Sequence, residues 1–210
     1  MPYSKNWVRR RTRWRRDPDA ALVAWMEQEE LVFRTLERHI VSARLRGGFG
    51  NEKPDVDAFI SFLLSVQNRR KSRVGYALEN HIEHIFRRHE IDYARGKESE
   101  YHSRPDFVFP RIEEYRNERF PAERLSLLGV KSTGKDRWRQ VLAEAARIEK
   151  KHLLTLEAGI SRSQTPQMQA SQLALVVPVA IQNSYSESQR PWLLSVKNFL
   201  GVVRERRSGS

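Results

Sequence analysis

The stretch RLSLLGVKSTGKDRWRQVLAEA, residues 124–145, runs an apolar segment into a lysine and then into a dense polar cluster. Strand alternation puts Leu125, Leu127, Gly129 and Lys131 on one face, so 125–132 reads as a strand that ends on an amine. The following DRWRQVLAEAARIEKK, 136–151, spaces Trp138, Val141, Leu142, Ala145 and Ile148 as a helix does. It predicts a helix with Glu144 at the border of its buried stripe. Working outward, PDFVFP (105–110) is a short strand bracketed by prolines, HLLTLE (152–157) and LALVVP (173–178) are two more, and RPWLLSVKNFLGVV (190–203) is a closing helix. Strands separated by single helical segments argue an α/β fold, a mixed central sheet flanked by helices.

The chain before this region is helical. Residues 17–46 form one helix, started by Asp17-Pro18 and stopped by Gly47-Gly48, with Leu22, Trp25, Leu31, Leu36 and Ile40 among its apolar positions. A second, over 53–73, has Phe59, Phe62, Leu63 and Val66 on a face; a third, over 72–89, repeats Val74, Leu78, Ile82, Ile85 and Phe86. The serine-rich segments 161–172 and 182–191 read as loops. The expected organisation is a basic arm (1–16), one domain (17–203, of which 17–53 is the N-terminal helical part and 54–203 the core) and a flexible tail (204–210).

Charge narrows the partners. The chain carries 38 Lys and Arg against 26 Asp and Glu, net +12, and residues 1–16 alone hold seven cations and no acid. This balance favours a polyanion, because each cation that meets a phosphate releases condensed counterions. There is no cysteine, so neither a disulfide framework nor a thiolate zinc site is available. No apolar run approaches the roughly 20 residues of a membrane helix, and the N-terminus has no signal-peptide core. The expectation is a soluble cytoplasmic protein with no membrane partner. No glycine-rich phosphate cradle or nucleotide-cofactor fingerprint is present.

Three residues then suggest chemistry. Hydrolysis of a phosphodiester needs a hard divalent ion held by carboxylate oxygens, and a water in line with phosphorus. Asp106 opens a strand after Pro105, Lys131 ends the next strand 25 residues later, and Glu144 follows after 13 more. A familiar nuclease pattern places an acid two residues before the lysine, but that position is Gly129. The second carboxylate must come from elsewhere, and Glu144 is the nearest candidate. Taken singly, each has a plainer reading: Asp106 as a turn cap, Lys131 snorkelling from a strand end, Glu144 on a solvated helix face. Lys135, Asp136 and Arg137 match the donors and acceptors of G·C pairs, though Asp136 also suits an N-cap. His81 and His84 do not form a metalloprotease motif and read as surface residues. Tyr115 is placed to approach DNA or to pack, and Trp7, Trp14 and Trp25 to stack a base or to serve arm and core.

The segments NRRKSRVGYALENHIEHIF (68–86), RPDFVFP (104–110) and LGVKSTGKDRWRQVLAEAARIEKKHLLTLEAGIS (128–161) together resemble the catalytic domain of the EcoRII-type restriction endonucleases, over roughly 54–200. That family belongs to the PD-(D/E)xK superfamily with a migrated acid, so Gly129 is its pattern. The resemblance implies a restriction-endonuclease-like core, Asp106 and Glu144 as ligands of Mg²⁺, Lys131 helping to activate water, and Glu79 in support near that water. It implies that Lys135, Asp136 and Arg137 read consecutive G·C pairs in double-stranded DNA, at a CCNGG- or CCWGG-like site whose central pair is turned out of the duplex. A DNA cytosine methyltransferase is the implied companion. One metal site per chain and a twofold target call for a homodimer. Larger family members carry an N-terminal effector domain for which this chain has no room, so it is either a stand-alone enzyme or a fragment. Two other classes compete: a non-cleaving DNA-binding module, which needs none of Asp106, Lys131 and Glu144, and a repair or structure-specific nuclease, which needs no base reading at 135–137.

Overall fold

The structure, a computed structural model, describes residues 17–50, 53–97, 99, 104–133 and 137–209. In chain order these form α1 (Pro18–Gly47), α2 (Val56–Arg88), β1 (Ala94–Arg95), β2 (Phe107–Phe109), α3 (Ile112–Arg116), β3 (Ser126–Val130) and α4 (Trp138–Leu142). There follow β4 (Lys151–Leu154), α5 (Gln164–Ala170), β5 (Leu173–Val176), α6 (Val179–Gln182) and α7 (Val196–Ser208). The five strands make one sheet in the order β1-β2-β3-β4-β5, antiparallel from β1 to β3 and parallel from β3 to β5. The mixed sheet flanked by helices is the fold class that the sequence predicts.

Alternation along the strands divides the core in two. Phe107, Phe109, Leu128, Val130, Leu154 and Val176 pack under α1, α2 and α7 with Leu22, Trp25, Phe86 and Phe199. Val108, Leu127, Leu153 and Leu175 face the other way, onto Trp138, Val141, Ile148 and Met168. Burial on both faces is why β3 reads as a nearly continuous apolar run.

The ends of α1 behave as read: Asp17 accepts the N–H of Asp19 at 3.2 Å, Pro18 sits in the first turn, and Gly48 closes the helix at φ 68°. Asp19 does something the local sequence does not announce. Its buried carboxylate accepts the N–H groups of Val196 (2.8 Å), Lys197 (3.0 Å) and Val179 (3.3 Å), and so joins α1 to the starts of α6 and α7.

Several expectations are corrected. The sequence predicts two helices across 53–89; the structure has one, Val56–Arg88. Its polar middle does not break because it faces α1: Arg70 grips Glu37 with bonds of 2.6–2.9 Å, and Arg73 pairs with Glu30. Of the apolar positions of α1, Leu22 and Trp25 are buried but Leu31 and Leu36 are 62% and 55% exposed. The helix predicted over 136–151 stops after five residues, Ala145 takes a left-handed φ of 50°, and Lys151 already belongs to β4. Arg147 holds that turn by donating to the carbonyls of Tyr115, Asn117 and Phe120. The 161–172 loop contains α5, with Thr165 and Met168 buried, and the segment expected as a flexible tail is helical to Ser208. His81 is buried beside Trp25, not on the surface. No helix among the described residues is long and apolar enough to cross a membrane.

Candidate active site

Because β2 and β3 are antiparallel, with Phe107 opposite Leu128, the residue before β2 meets the end of β3. Asp106 is that residue. Its Oδ2 accepts the backbone N–H of Val130 at 2.6 Å and the Lys131 ammonium at 2.7 Å. The Lys131 N–H itself continues the parallel ladder to the Leu154 carbonyl at 3.0 Å, so a sheet position fixes the root of this side chain. The two charges are largely withdrawn from water, 15% and 17% exposed, where a charge-assisted hydrogen bond is strongest.

Gly129 explains how a second acid arrives. A Cβ on this glycine would lie 2.6 Å from Cγ2 of Val141. The bare backbone is therefore where α4 rests on the sheet, and a carboxylate at 129 would have to displace a stiff, buried valine. Glu144 follows Val141 by three residues, with its N–H on the Val141 carbonyl at 3.2 Å. Burial, and then the neighbouring negative charge of Asp106, raise the Glu144 carboxyl to about 7, against the pull of the Lys131 and Lys151 ammonium groups. Its Oε2 is buried with no hydrogen-bond partner. A partly desolvated acid under the influence of a second acid, with one oxygen unsatisfied, is a donor set that fits a divalent cation. Among the described residues no group of three or more His, Asp and Glu side chains is gathered for a metal. Asp106 and Glu144 as a pair of carboxylates would suit magnesium, an ion that keeps several waters and binds phosphate oxygens with the remainder of its shell.

Glu79 reaches this region through β1. Its Oε2 accepts from Arg95 at 2.8 Å, and Arg95 also donates to Glu83 at 2.5 Å and Asn80 at 2.9 Å. Arg95 lies opposite Phe107 in the sheet, and the next residue, Gly96, donates to the Asp106 carbonyl at 3.2 Å. Glu79 is thus bound to a cation on the strand beside Asp106, with no bond to Asp106 or Lys131. Of the residues read as base contacts, Lys135 and Asp136 lie outside the described residues, whereas Arg137 is exposed at the start of α4 and its side chain makes no capping bond. Tyr115 and Trp25 are core residues, 3% and 2% exposed; Trp7 and Trp14 lie outside the described residues.

Two participants escape the sequence reading. Arg95 belongs to a strand of two residues with no periodicity to reveal it, although Glu79 and Glu83, one helical turn apart, signal that a cation must face them. Lys151, in what reads as a solvated helix end, is 6% exposed, donates to the Leu142 carbonyl at 2.5 Å and adds its charge to the field on Glu144.

A family model described as EcoRII C terminal matches residues 33–200. The Type II restriction enzyme EcoRII of Escherichia coli is 41% identical over 188 residues, 89% of this chain and 46% of that protein. The chain thus spans about half the length of this relative. Metal-depleted Ecl18kI in complex with uncleaved DNA superposes with a TM-score of 0.73 at 21% identity, over 92% of this chain and 71% of that one. The restriction endonuclease PspGI in its substrate DNA complex superposes at 0.72 and 15% identity, over 92% and 81%. At such identities the likeness to these two structures is one of fold.

Proposed function

The chain belongs to the EcoRII C-terminal family, and on that premise we propose that it is a type II restriction endonuclease. In this reading it is Mg²⁺-dependent and cuts both strands of DNA at a short interrupted palindrome with CC/GG flanks, CCNGG- or CCWGG-like. The observation that supports the reading is the Asp106–Lys131 pair at the end of β3, with the buried Glu144 carboxyl in the electrostatic field of both and one of its oxygens unsatisfied.

Asp106 and Glu144 would hold the ion, which when bound supplies a hard Lewis acid for phosphate oxygens. The chain's own groups do the rest. The Val130 N–H fixes the orientation of the Asp106 carboxylate. The Lys131 ammonium is aimed at the same place, where it orients an attacking water and offsets the charge that grows on the phosphate. Arg95 holds Glu79 in a supporting position on the α2 side. The net charge of +12 favours the phosphate backbone. Lys135, Asp136 and Arg137 read the G·C pairs, and aromatic residues receive an extruded central base. A twofold site requires two copies of a chain with one metal site, hence a homodimer acting in the cytoplasm beside a protecting DNA cytosine methyltransferase.

Plasmid of known sequence, incubated with the purified chain with and without Mg²⁺, tests this. Discrete sequence-dependent bands that vanish without metal, and in Asp106→Ala and Lys131→Ala variants that keep the native fold, are expected. Uncut but shifted plasmid would point to a binding module, and nicking at lesions or junctions to a repair nuclease. Arg137→Ala should cost about 1–3 kcal/mol in binding to the target site and little on random DNA.

A further inference from the structure

The sheet has a second concave end. β3, β4 and β5 run parallel away from it, and β3 finishes beside Lys131. The starts of these strands therefore lie roughly 13 Å from the candidate active site, four residues at strand spacing. Two cavities adjoin there, of about 440 and 400 Å³, with Lys150 and Gln172 as their common wall. Each has the size of a small-molecule site. Gln172 holds a left-handed φ of 54° without being a glycine, the kind of backbone strain that collects at ligand sites.

The two cavities differ in chemistry. Arg147, Lys150 and Arg206 line the first, and among the described residues none of the three has an ion pair. Arg206 is the most telling. Its Nη1 donates to the Leu125 carbonyl at 2.8 Å and to Ser126 Oγ at 3.2 Å, both neutral, and burial lowers its guanidinium. A half-buried cation held only by neutral acceptors lacks its counter-charge. The fully buried His152 registers the same excess: burial first, then the Arg206 charge and more weakly that of Lys150, push its imidazole down to about 4. Glu123 and Glu149 also line this cavity, which leaves a net of one positive charge on its walls. That balance suits a single phosphate and not a polyphosphate chain. The second cavity is lined by Leu173, Ala174 and Trp192, with Gln169 and Gln172. It offers an aromatic face on which a base stacks, and amides that both donate and accept at a base edge.

We propose that the joined cavities bind a nucleoside 5′-monophosphate unit, its phosphate among Arg147, Lys150 and Arg206 and its base against Trp192. The Arg206 guanidinium supplies a planar set of donors to phosphate oxygens, and the Lys150 ammonium a movable point charge. The same unit comes from two sources, a free nucleotide or the 5′-phosphorylated end of a DNA strand. The site is separate from Asp106, Lys131 and Glu144 and stands whether or not those residues cut DNA.

Calorimetry of the full chain with dAMP tests it, with circular dichroism as the check that each variant is folded. One saturable site per chain is expected, weakened roughly tenfold by Lys150→Glu or Arg206→Gln, the worth of one charge-assisted hydrogen bond. Trp192→Ala should weaken dAMP and leave inorganic phosphate unaffected, and dATP should bind less tightly than dAMP. Asp106→Ala should bind dAMP as the wild type does, because the candidate active site takes no part. Nuclear magnetic resonance of the unsubstituted chain gives a reading that needs no variant: dAMP should move the amide signals of Lys150, Gln172 and Leu173. A 5′-phosphorylated oligonucleotide that displaces dAMP better than its 5′-hydroxyl form assigns the site to strand ends, and equal displacement assigns it to free nucleotides. No saturable binding, unaltered binding in the folded Lys150→Glu and Trp192→Ala chains, tighter binding of dATP, or loss in Asp106→Ala would overturn the proposal.

Discussion

At position 129 a missing methyl group decides where an acid can stand. Gly129 lets Val141 sit on the strand, and Glu144, one turn after Val141, lies within the electrostatic reach of Asp106 and Lys131. Gly129→Ala should lose about 1–3 kcal/mol in urea denaturation, and adding Val141→Ala should restore part of it. A Gly129→Ala chain as stable as the wild type would show that Val141 is not the constraint. Two titrating residues give predictions of opposite sign. The Glu144 carboxyl, raised from 4.5 to about 7 by burial and by Asp106, favours the folded chain fully below 4.5, and that contribution is lost as pH rises through 7. His152, lowered from 6.5 to about 4 chiefly by burial, contributes above 6.5 and loses its share as pH falls through 4. The windows overlap, so each is read as the difference between wild type and one variant. Denaturation midpoints across pH 4–8 should lose the first trend in Glu144→Gln and the second in His152→Gln. On the proposal that Glu144 is a metal ligand, a cation would displace its proton, so Ca²⁺ affinity measured by calorimetry should rise with pH up to about 7 in the wild type and not in Glu144→Gln.

Among the elements, α4 departs furthest from its local preference. Glu144, Ala145 and Ala146 are good helix formers, yet the chain leaves the helix there through a left-handed alanine. Two distant demands outweigh propensity: Lys151 must begin β4, its N–H paired to the Gln172 carbonyl at 3.1 Å, and Arg147 must reach the carbonyls after α3. The turn that results leaves strain next to Glu144, the residue proposed as a metal ligand. α1 and α7 are coupled in the same long-range manner through Asp19. Asp19→Ala leaves three backbone N–H groups without their acceptor and should cost about 1–3 kcal/mol, several degrees in Tm at most. Asp19→Asn keeps an oxygen for the Val196 N–H and should cost less; equal losses for the two variants would argue against the capping role.

Over the whole molecule, charge and topology act at different ranges. With DNA as the polyanion, the logarithm of affinity should fall linearly with the logarithm of salt, and removing residues 1–16 with their seven cations should flatten that slope by up to about 6. An unchanged slope on random duplex would take the arm out of phosphate contact. Read alone, the chain settles the α/β class, the ends of α1 and the placement of Asp106 and Lys131. These follow from short-range facts: alternation along a strand, a helix cap, a proline before an acid. It does not disclose the continuous α2, the early end of α4, the cations at 95 and 151, or the leucines left bare on the hairpin. Each of these depends on a partner far away in sequence, Glu37 for Arg70, the carbonyls after α3 for Arg147, Glu79 for Arg95. Periodicity reports which residues prefer to leave water, but packing alone selects which surfaces they leave it against.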